Sequence, residues 1–140
     1  MRIGTCFSGI GGGEIAALHA WPESECLWAI EIDPSAQAVL RSRFAGLRVY
    51  DDVRTAEPAC VDVLIGGFPC QGISQANQGG EGLADARSGL FYAMMDLAER
   101  VQARMIVLEN VPNIRTRGLR EVCAEMSRRG WRLERRTFTA

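Results

Sequence analysis

The chain has no lysine among its 140 residues, no two cysteines at CxxC spacing and no apolar run of membrane-spanning length. Each absence removes a class of function. The five cysteines (Cys6, Cys26, Cys60, Cys70, Cys123) are odd in number and scattered, which argues against both a zinc site and a disulfide framework, so no metal is expected. A bilayer span needs roughly 18 consecutive apolar residues, and none is found, so no membrane partner is expected. The N-terminus has one arginine followed by glycine-rich sequence, unlike a signal or transit peptide, and a cytoplasmic location is expected. Repeats and low-complexity tracts are also missing. What remains is ordinary globular composition, 47% hydrophobic and 24% charged, enough for one compact domain with a real core.

Charge is unevenly spread. Residues 1–112 hold 8 arginines against 14 acidic residues, whereas residues 113–140 hold 8 arginines against 3. A basic C-terminal segment is either the solvated side of a last helix and strand or a face turned toward an anionic polymer. That every basic side chain is arginine reads as coding bias rather than mechanism.

Strand and helix patterns alternate along the chain. Arg2–Phe7 reads as a strand ending in the glycine turn Gly9-Ile10-Gly11-Gly12-Gly13, followed by a helix from Glu14 to Ala20. Cys26–Ile30 is a second strand. Asp33 then caps a helix whose first turn contains Pro34, a residue suited to that position. Leu47–Tyr50 and Val61–Ile65 are the third and fourth strands, Leu90–Val101 a helix, and Met105–Leu108 a fifth strand. Leu119–Arg129 is a helix and Trp131–Thr137 a last strand. Residues 71–87, rich in Gly, Gln and Asn, read as a long loop of the kind that often closes over a site. Such alternation implies an α/β fold with a doubly wound, mainly parallel sheet. Ligands of such sheets bind beyond the carboxyl ends of the strands, where Gly9, Glu31, Asp52, Cys70 and Glu109 all fall.

Two groups of residues carry chemistry. In the first, the glycine turn lets a ligand approach the backbone, but Glu14 stands where the dinucleotide fingerprint requires its third glycine. A carboxylate there suits a sulfonium with an amino-acid tail better than a pyrophosphate. Glu31, ending the second strand, is placed to accept hydrogen bonds from ribose hydroxyls, or else is a plain helix-start carboxylate. Asp52 either reads an adenine amino group or caps a turn. In the second group, Cys70 sits on a Gly/Pro turn at the end of a buried strand, and Glu109 ends the fifth strand. A carboxyl among apolar neighbours there would retain a proton and donate a hydrogen bond.

Gly66-Gly67-Phe68-Pro69-Cys70-Gln71-Gly72 resembles the Pro-Cys-Gln nucleophile motif of DNA cytosine-5 methyltransferases, and Glu109-Asn110-Val111 resembles the family's Glu-Asn-Val motif. Phe7-Ser8-Gly9-Ile10-Gly11-Gly12 is similar to its Phe-x-Gly-x-Gly-Gly turn, Glu31-Ile32-Asp33 to its ribose segment and Asp52-Val53 to its adenine segment. Arg87-Ser88-Gly89-Leu90-Phe91 is similar to its Gly-x-Leu-Phe helix start. The resemblance implies a Rossmann-like, S-adenosylmethionine-dependent methyltransferase. Its cofactor would be held by Phe7, Gly9, Gly11, Gly12, Glu31, Ile32, Asp52, Val53 and Leu90. It implies Cys70 as nucleophile toward carbon 6 of cytosine, with Glu109 as the proton partner at ring nitrogen 3. Pro69, Gln71, Ser74, Asn110 and Val111 would shape the substrate side. The substrate would be DNA with its target cytosine flipped out of the stack. A bacterial or phage-encoded restriction-modification enzyme is the implied setting.

The resemblance runs in order along nearly the whole chain. Beyond Ala140 family members continue into a Gln-x-Arg-x-Arg segment, a DNA-reading domain and a final helix that completes the cofactor pocket. The expectation is therefore a partial catalytic domain over residues 1–140, incomplete at the C-terminus and lacking a target-recognition domain. Three readings stay open: a truncated catalytic portion, one subunit of a split enzyme completed by a second chain, or a non-catalytic cofactor-binding fragment. A tRNA cytosine-5 methyltransferase relative is a further one.

Overall fold

A computed structural model describes residues 1–69, 89–112 and 114–137. Five strands form one parallel sheet: β1 (Arg2–Cys6), β2 (Glu25–Ile30), β3 (Arg48–Tyr50), β4 (Val63–Gly66) and β5 (Met105–Leu108), in the order β3-β2-β1-β4-β5. The helices are α1 (Gly12–Ala20), α2 (Pro34–Arg43), α3 (Gly89–Arg100), the single turn α4 (Ile114–Arg117) and α5 (Leu119–Arg128). The order of strands reverses at β1, so the crevice between the ends of β1 and β4 is the topological switch point where such sheets take ligands.

Hydrophobic layers cover both faces. On one side Ile3, Ala17 and Val63 join α1 to the sheet, and Ala29, Leu40 and Leu47 join α2. On the other, Trp28, Ile30, Leu64, Met94, Leu97 and Ala98 form the largest cluster, against α3. A neighbouring cluster of Phe68, Phe91, Met95, Val122 and Met126 ties α3 to α5 and to the residues after β4. Spacing explains α3: Phe91, Met94, Met95 and Ala98 recur at three- and four-residue intervals, placing an apolar stripe on one side. α2 starts as its sequence demands, with the Asp33 carboxylate accepting from the backbone N–H of Ser35 at 2.7 Å and Ala36 at 3.3 Å, and Pro34 in its first turn.

Gly4, in the centre of β1, is required by packing. A β-carbon there would lie 2.2 Å from the Trp28 ring, which is buried and anchored through its indole N–H to the Ala59 carbonyl at 2.9 Å. The β1–β2 register shifts between Ile3 and Gly4 at the same point.

One expected element is not formed. Residues 131–137 are not a strand: Trp131 is pinned by its N–H to the Met126 carbonyl at 2.9 Å and packs against the two larger clusters, while 132–137 run exposed. A strand exists only with a ladder partner, and no described strand pairs with this segment. The single turn α4 was not foreshadowed by periodicity; its backbone is closed by Ile114 N–H to the Val111 carbonyl at 3.0 Å. No helix among the described residues is long and apolar enough to cross a membrane.

Candidate active site at the carboxyl edge of the sheet

After β1 the backbone turns sharply. Phe7 and Gly9 both adopt positive φ (57° and 54°), and Gly11 reaches 98°. For a non-glycine residue such as Phe7 this is an uncommon conformation, and strained backbone concentrates at ligand sites. The turn is braced by Ser8 N–H to the Ile30 carbonyl at 3.2 Å, Gly11 N–H to the Ser8 carbonyl at 3.0 Å and the Arg43 guanidinium to the Ile10 carbonyl at 3.1 Å. Leaving aside their own chain neighbours, no heavy atom of the described residues lies within 4 Å of where a β-carbon on Gly9 or Gly12 would stand, so among those residues the turn is open on its outer side. Gly11 differs: its β-carbon would meet the Phe44 ring at 2.5 Å, so this glycine permits helix packing as well as the turn.

Glu31 bridges two loops. Its carboxylate accepts from Gly9 N–H at 2.7 Å and from Asp33 N–H at 2.9 Å, locking the glycine turn to the end of β2. A carboxylate offers about four acceptor directions, so capacity is left for a ligand. Behind it the buried Gln37 amide donates to the Glu31 carbonyl at 2.6 Å and to Asp51 Oδ1 at 2.9 Å, joining the ends of β2 and β3. Sequence reasoning missed Gln37; a polar residue one helical turn after an N-cap gave no signal of this role. Ile32 is 72% exposed, an apolar side chain standing free beside Glu31. Asp52 acts as a turn residue, its carboxylate accepting from Arg54 N–H at 2.9 Å and pairing with the Arg54 guanidinium at 3.5 Å. The Val53 side chain belongs to the core, leaving only its backbone for a ligand. Leu90 and Phe7 pack against the core beneath the same crevice.

Among the cysteines, Cys6 is buried, and burial together with the Glu14 charge pushes its thiol far above the ordinary range. The same two causes push Cys26 up to about 11. Neither is a thiolate near neutrality, so neither competes for the nucleophile's role. Cys70, Gln71 and Ser74 lie outside the described residues, as does the loop to Arg87.

The residues leading to Cys70 are described, and they meet Glu109. The Glu109 N–H continues the ladder to the Gly66 carbonyl at 3.1 Å. A β-carbon on Gly67 would lie 2.9 Å from Glu109 Oε2, so the absence of a side chain there is what lets the carboxyl rest over the Gly67 backbone. Asn110 fastens the pair, its amide donating to the Phe68 carbonyl at 2.8 Å while its Oδ1 accepts from Val111 N–H at 2.9 Å. The expected apolar surroundings of Glu109 are not found: the residue is exposed, because β5 is the edge of the described sheet. Pro69 and Val111 are exposed on the same side.

A sequence profile described as C-5 cytosine-specific DNA methylase matches residues 1–138. The chain belongs to that family. Among the curated methylases, Type II methyltransferase M2.BsuMI of Bacillus subtilis is 38% identical over 118 residues, covering 80% of this chain and 29% of that protein. M.HpaII of Haemophilus parainfluenzae is 34% identical over 114 residues, 78% of this chain and 31% of its own length. This methylase chain thus spans about a third of the length of such relatives. Among solved structures, S. pombe Dnmt2 superposes with TM-score 0.71 at 22% identity, over 92% of this chain and 42% of that one, a likeness of fold. An Escherichia coli prophage-encoded DNA modification methyltransferase gives 0.71 at 25% identity, over 89% and 36%. The parallel sheet with helices on both faces is the Rossmann-like architecture of this methyltransferase class.

The basic C-terminal segment divides in two. Arg128 and Arg129 are occupied by acidic partners on α3 and α5, whereas Arg115, Arg120, Arg132, Arg135 and Arg136 are exposed.

Proposed function

We propose that this chain carries the cofactor and nucleophile half of an enzyme that methylates carbon 5 of cytosine in DNA. The observation that supports it best is the seating of the Glu109 carboxyl on the Gly67 backbone, three residues before Cys70. Three positions of chain separate Gly67 from Cys70, so the acid resting on Gly67 lies close in sequence to the proposed nucleophile, as two groups acting on one flat ring require. That pairing favours a catalytic chain over a fragment that only binds cofactor.

S-adenosylmethionine, bound across the switch point, would supply the methyl group. The described residues fit it: an open glycine turn for the amino-acid tail, Glu31 with acceptor capacity for ribose hydroxyls, and exposed Ile32 as an apolar cover for adenine. Asp52 and the Val53 backbone would flank the adenine edge, with Phe7, Gly11, Gly12 and Leu90 shaping the floor.

Carbon 5 of cytosine is a weak nucleophile until carbon 6 is attacked. In the proposed sequence the Cys70 thiolate adds to carbon 6, forming a sulfur–carbon bond and pushing electrons toward carbon 5. Glu109 serves as the proton partner at ring nitrogen 3, the role that the family resemblance implies for it. Carbon 5 would receive the methyl group as the sulfonium releases it, a base would then remove the carbon-5 proton, and the returning electron pair would expel Cys70 as a thiolate. Asn110 ties the segment after Glu109 to the Phe68 carbonyl, and by the family resemblance Pro69, Gln71, Ser74 and Val111 belong to the substrate side. The exposed arginines after α4 would meet backbone phosphates.

Covalent trapping tests this. Residues 1–140 are fused to the C-terminal remainder of M2.BsuMI and incubated with S-adenosylmethionine and a duplex carrying 5-fluorocytosine, whose fluorine cannot leave as a proton does. A denaturant-resistant protein–DNA band is expected, and none with Cys70→Ser. DNA binding without any band would refute the nucleophile assignment.

A further inference from the structure

Behind the glycine turn lies a buried polar chain that the proposed reaction does not use. Glu14 is 0% exposed and Thr5 2%, both deep between β1 and the start of α1. The Thr5 hydroxyl donates to Glu14 Oε1 at 2.6 Å, and its oxygen lies 2.8 Å from the Ser8 hydroxyl on the turn itself. Glu14 Oε2 has no partner among the described residues. A buried carboxylate with one bare oxygen is a costly feature to retain in a core, and it calls for a role.

The proton count fixes the direction of the chain. A threonine hydroxyl has one hydrogen, and a carboxylate accepts without donating. The alternative acceptor for Thr5, the Trp28 carbonyl, is 3.5 Å away, too long to compete with 2.6 Å to a charged oxygen. Thr5 therefore gives its hydrogen to Glu14, and its oxygen must accept from Ser8. Ser8 has then spent its only hydrogen inward. What it has left for a ligand is lone pairs.

We propose that Glu14, acting through Thr5, is a positioning residue that fixes Ser8 as a hydrogen-bond acceptor, so that the turn recognises the α-ammonium of the cofactor's amino-acid tail rather than its carboxylate. The inference rests on the S-adenosylmethionine reading above and deepens it. It assigns a reason to the carboxylate that breaks the dinucleotide fingerprint at position 14. That carboxylate points inward to Thr5 and acts on the ligand through two hydroxyls. It also explains why a neutral residue of the same size would not serve: without the charge, the two hydroxyls are free to reverse, and Ser8 could donate.

The test uses three ligands on the 140-residue chain: S-adenosylhomocysteine, its analogue lacking the α-amino group and its analogue lacking the α-carboxylate. Amide chemical-shift titration reads affinities well into the millimolar range. A hydrogen bond from a charged donor is worth enough that removing the amine should weaken binding to the wild type by about tenfold. In Ser8→Ala, and in the double variant Thr5→Val/Glu14→Met, that penalty should fall to within about threefold, while the ligand without the amine binds as it does to wild type. Thr5→Ser keeps a hydroxyl and should retain the full discrimination. The double variant replaces both polar partners with apolar groups of similar shape. If it fails to fold, Ser8→Ala and Thr5→Ser still decide the question. A penalty that follows the carboxylate, or equal losses for all three ligands, overturns the proposal and leaves the cofactor reading standing. If the wild type binds none of the three, both fall together.

Discussion

Gly67 is the residue on which the proposed catalytic geometry turns. Glutamate Oε2 is the far end of a flexible side chain, so a methyl group added at Gly67, 2.9 Å away, would push the carboxyl aside without disturbing the sheet. Gly67→Ala should therefore keep the fold and lose chemistry. In the fused enzyme, methyl transfer should fall by about 100-fold, the range ascribed to a misplaced proton partner, with the thermal midpoint nearly unchanged. Steady-state methylation beside a thermal melt checks this, and full activity in the variant would place the working position of Glu109 elsewhere. The same scale shows what the sequence disclosed. Glu31 and Glu109 were legible because each directly follows a strand, where direction and exposure are set by the ladder. Glu14 was visible as a departure from a glycine pattern, yet its inward orientation was not: whether a residue at a helix start faces ligand or core depends on Thr5, nine positions earlier. Gln37 was hidden for the same reason, since both of its acceptors lie on other segments.

At the scale of elements, the two helices on one face are joined by charge as well as by apolar packing. Arg129, its side chain only 11% exposed, reaches Asp96 at 2.7 Å and Glu99 at 3.1 Å on α3 and Glu125 at 2.6 Å on α5. Hydrogen bonds from Arg128 and then Arg129 hold the Glu125 carboxyl at about 2, below its ordinary 4.5. A carboxylate depressed on folding stabilises the native state at pH values above its unfolded value, and that contribution disappears as pH falls toward the folded one. Glu125→Gln should thus be less stable than wild type at pH 7, and the difference should close between about pH 4.5 and pH 2. Urea unfolding across that range provides the measurement; a gap constant with pH would mean that Glu125 acts through packing alone. This network also accounts for the failed expectation at the C-terminus. Two of the arginines that made the segment look basic are committed to acidic partners, Arg129 to α3 and α5 and Arg128 to Glu125 on α5, and the residues after Trp131 have no described ladder to join. Periodicity registers what a segment prefers, while a strand needs a neighbour that the segment does not itself encode. The core strands β1, β2 and β4 were legible because burial on both faces leaves near-continuous apolar runs.

Across the whole molecule, the two edges of the sheet are unlike. At one edge β3 carries Arg48, whose guanidinium lies 5.7 Å from the centroid of the Tyr50 ring, and α2 packs on its inner side. A charged, three-residue edge is a poor template for another strand. At the other edge β5 has no described neighbour beyond it, and its alternate residues Met105 and Val107 are 48% and 36% exposed. The opposite face of the same strand is sealed, with Ile106 and Leu108 against the clusters under α3 and α5. β5 thus presents open hydrogen-bonding groups together with a bare apolar side, the combination that natural proteins usually blunt with charge. Parallel sheets of this class bury both faces of their central strands, as β1 and β4 do here, whereas β5 is half-covered among the described residues. The 140-residue chain should accordingly associate as its concentration rises, and a lysine at the outward position should suppress this. Sedimentation velocity over a hundredfold concentration range is the check: the wild type is expected to shift toward larger species and Val107→Lys to remain monomeric. A wild type that sediments as a monomer throughout would show that this edge is protected, and the exposed pair Met105 and Val107 would then need a different explanation.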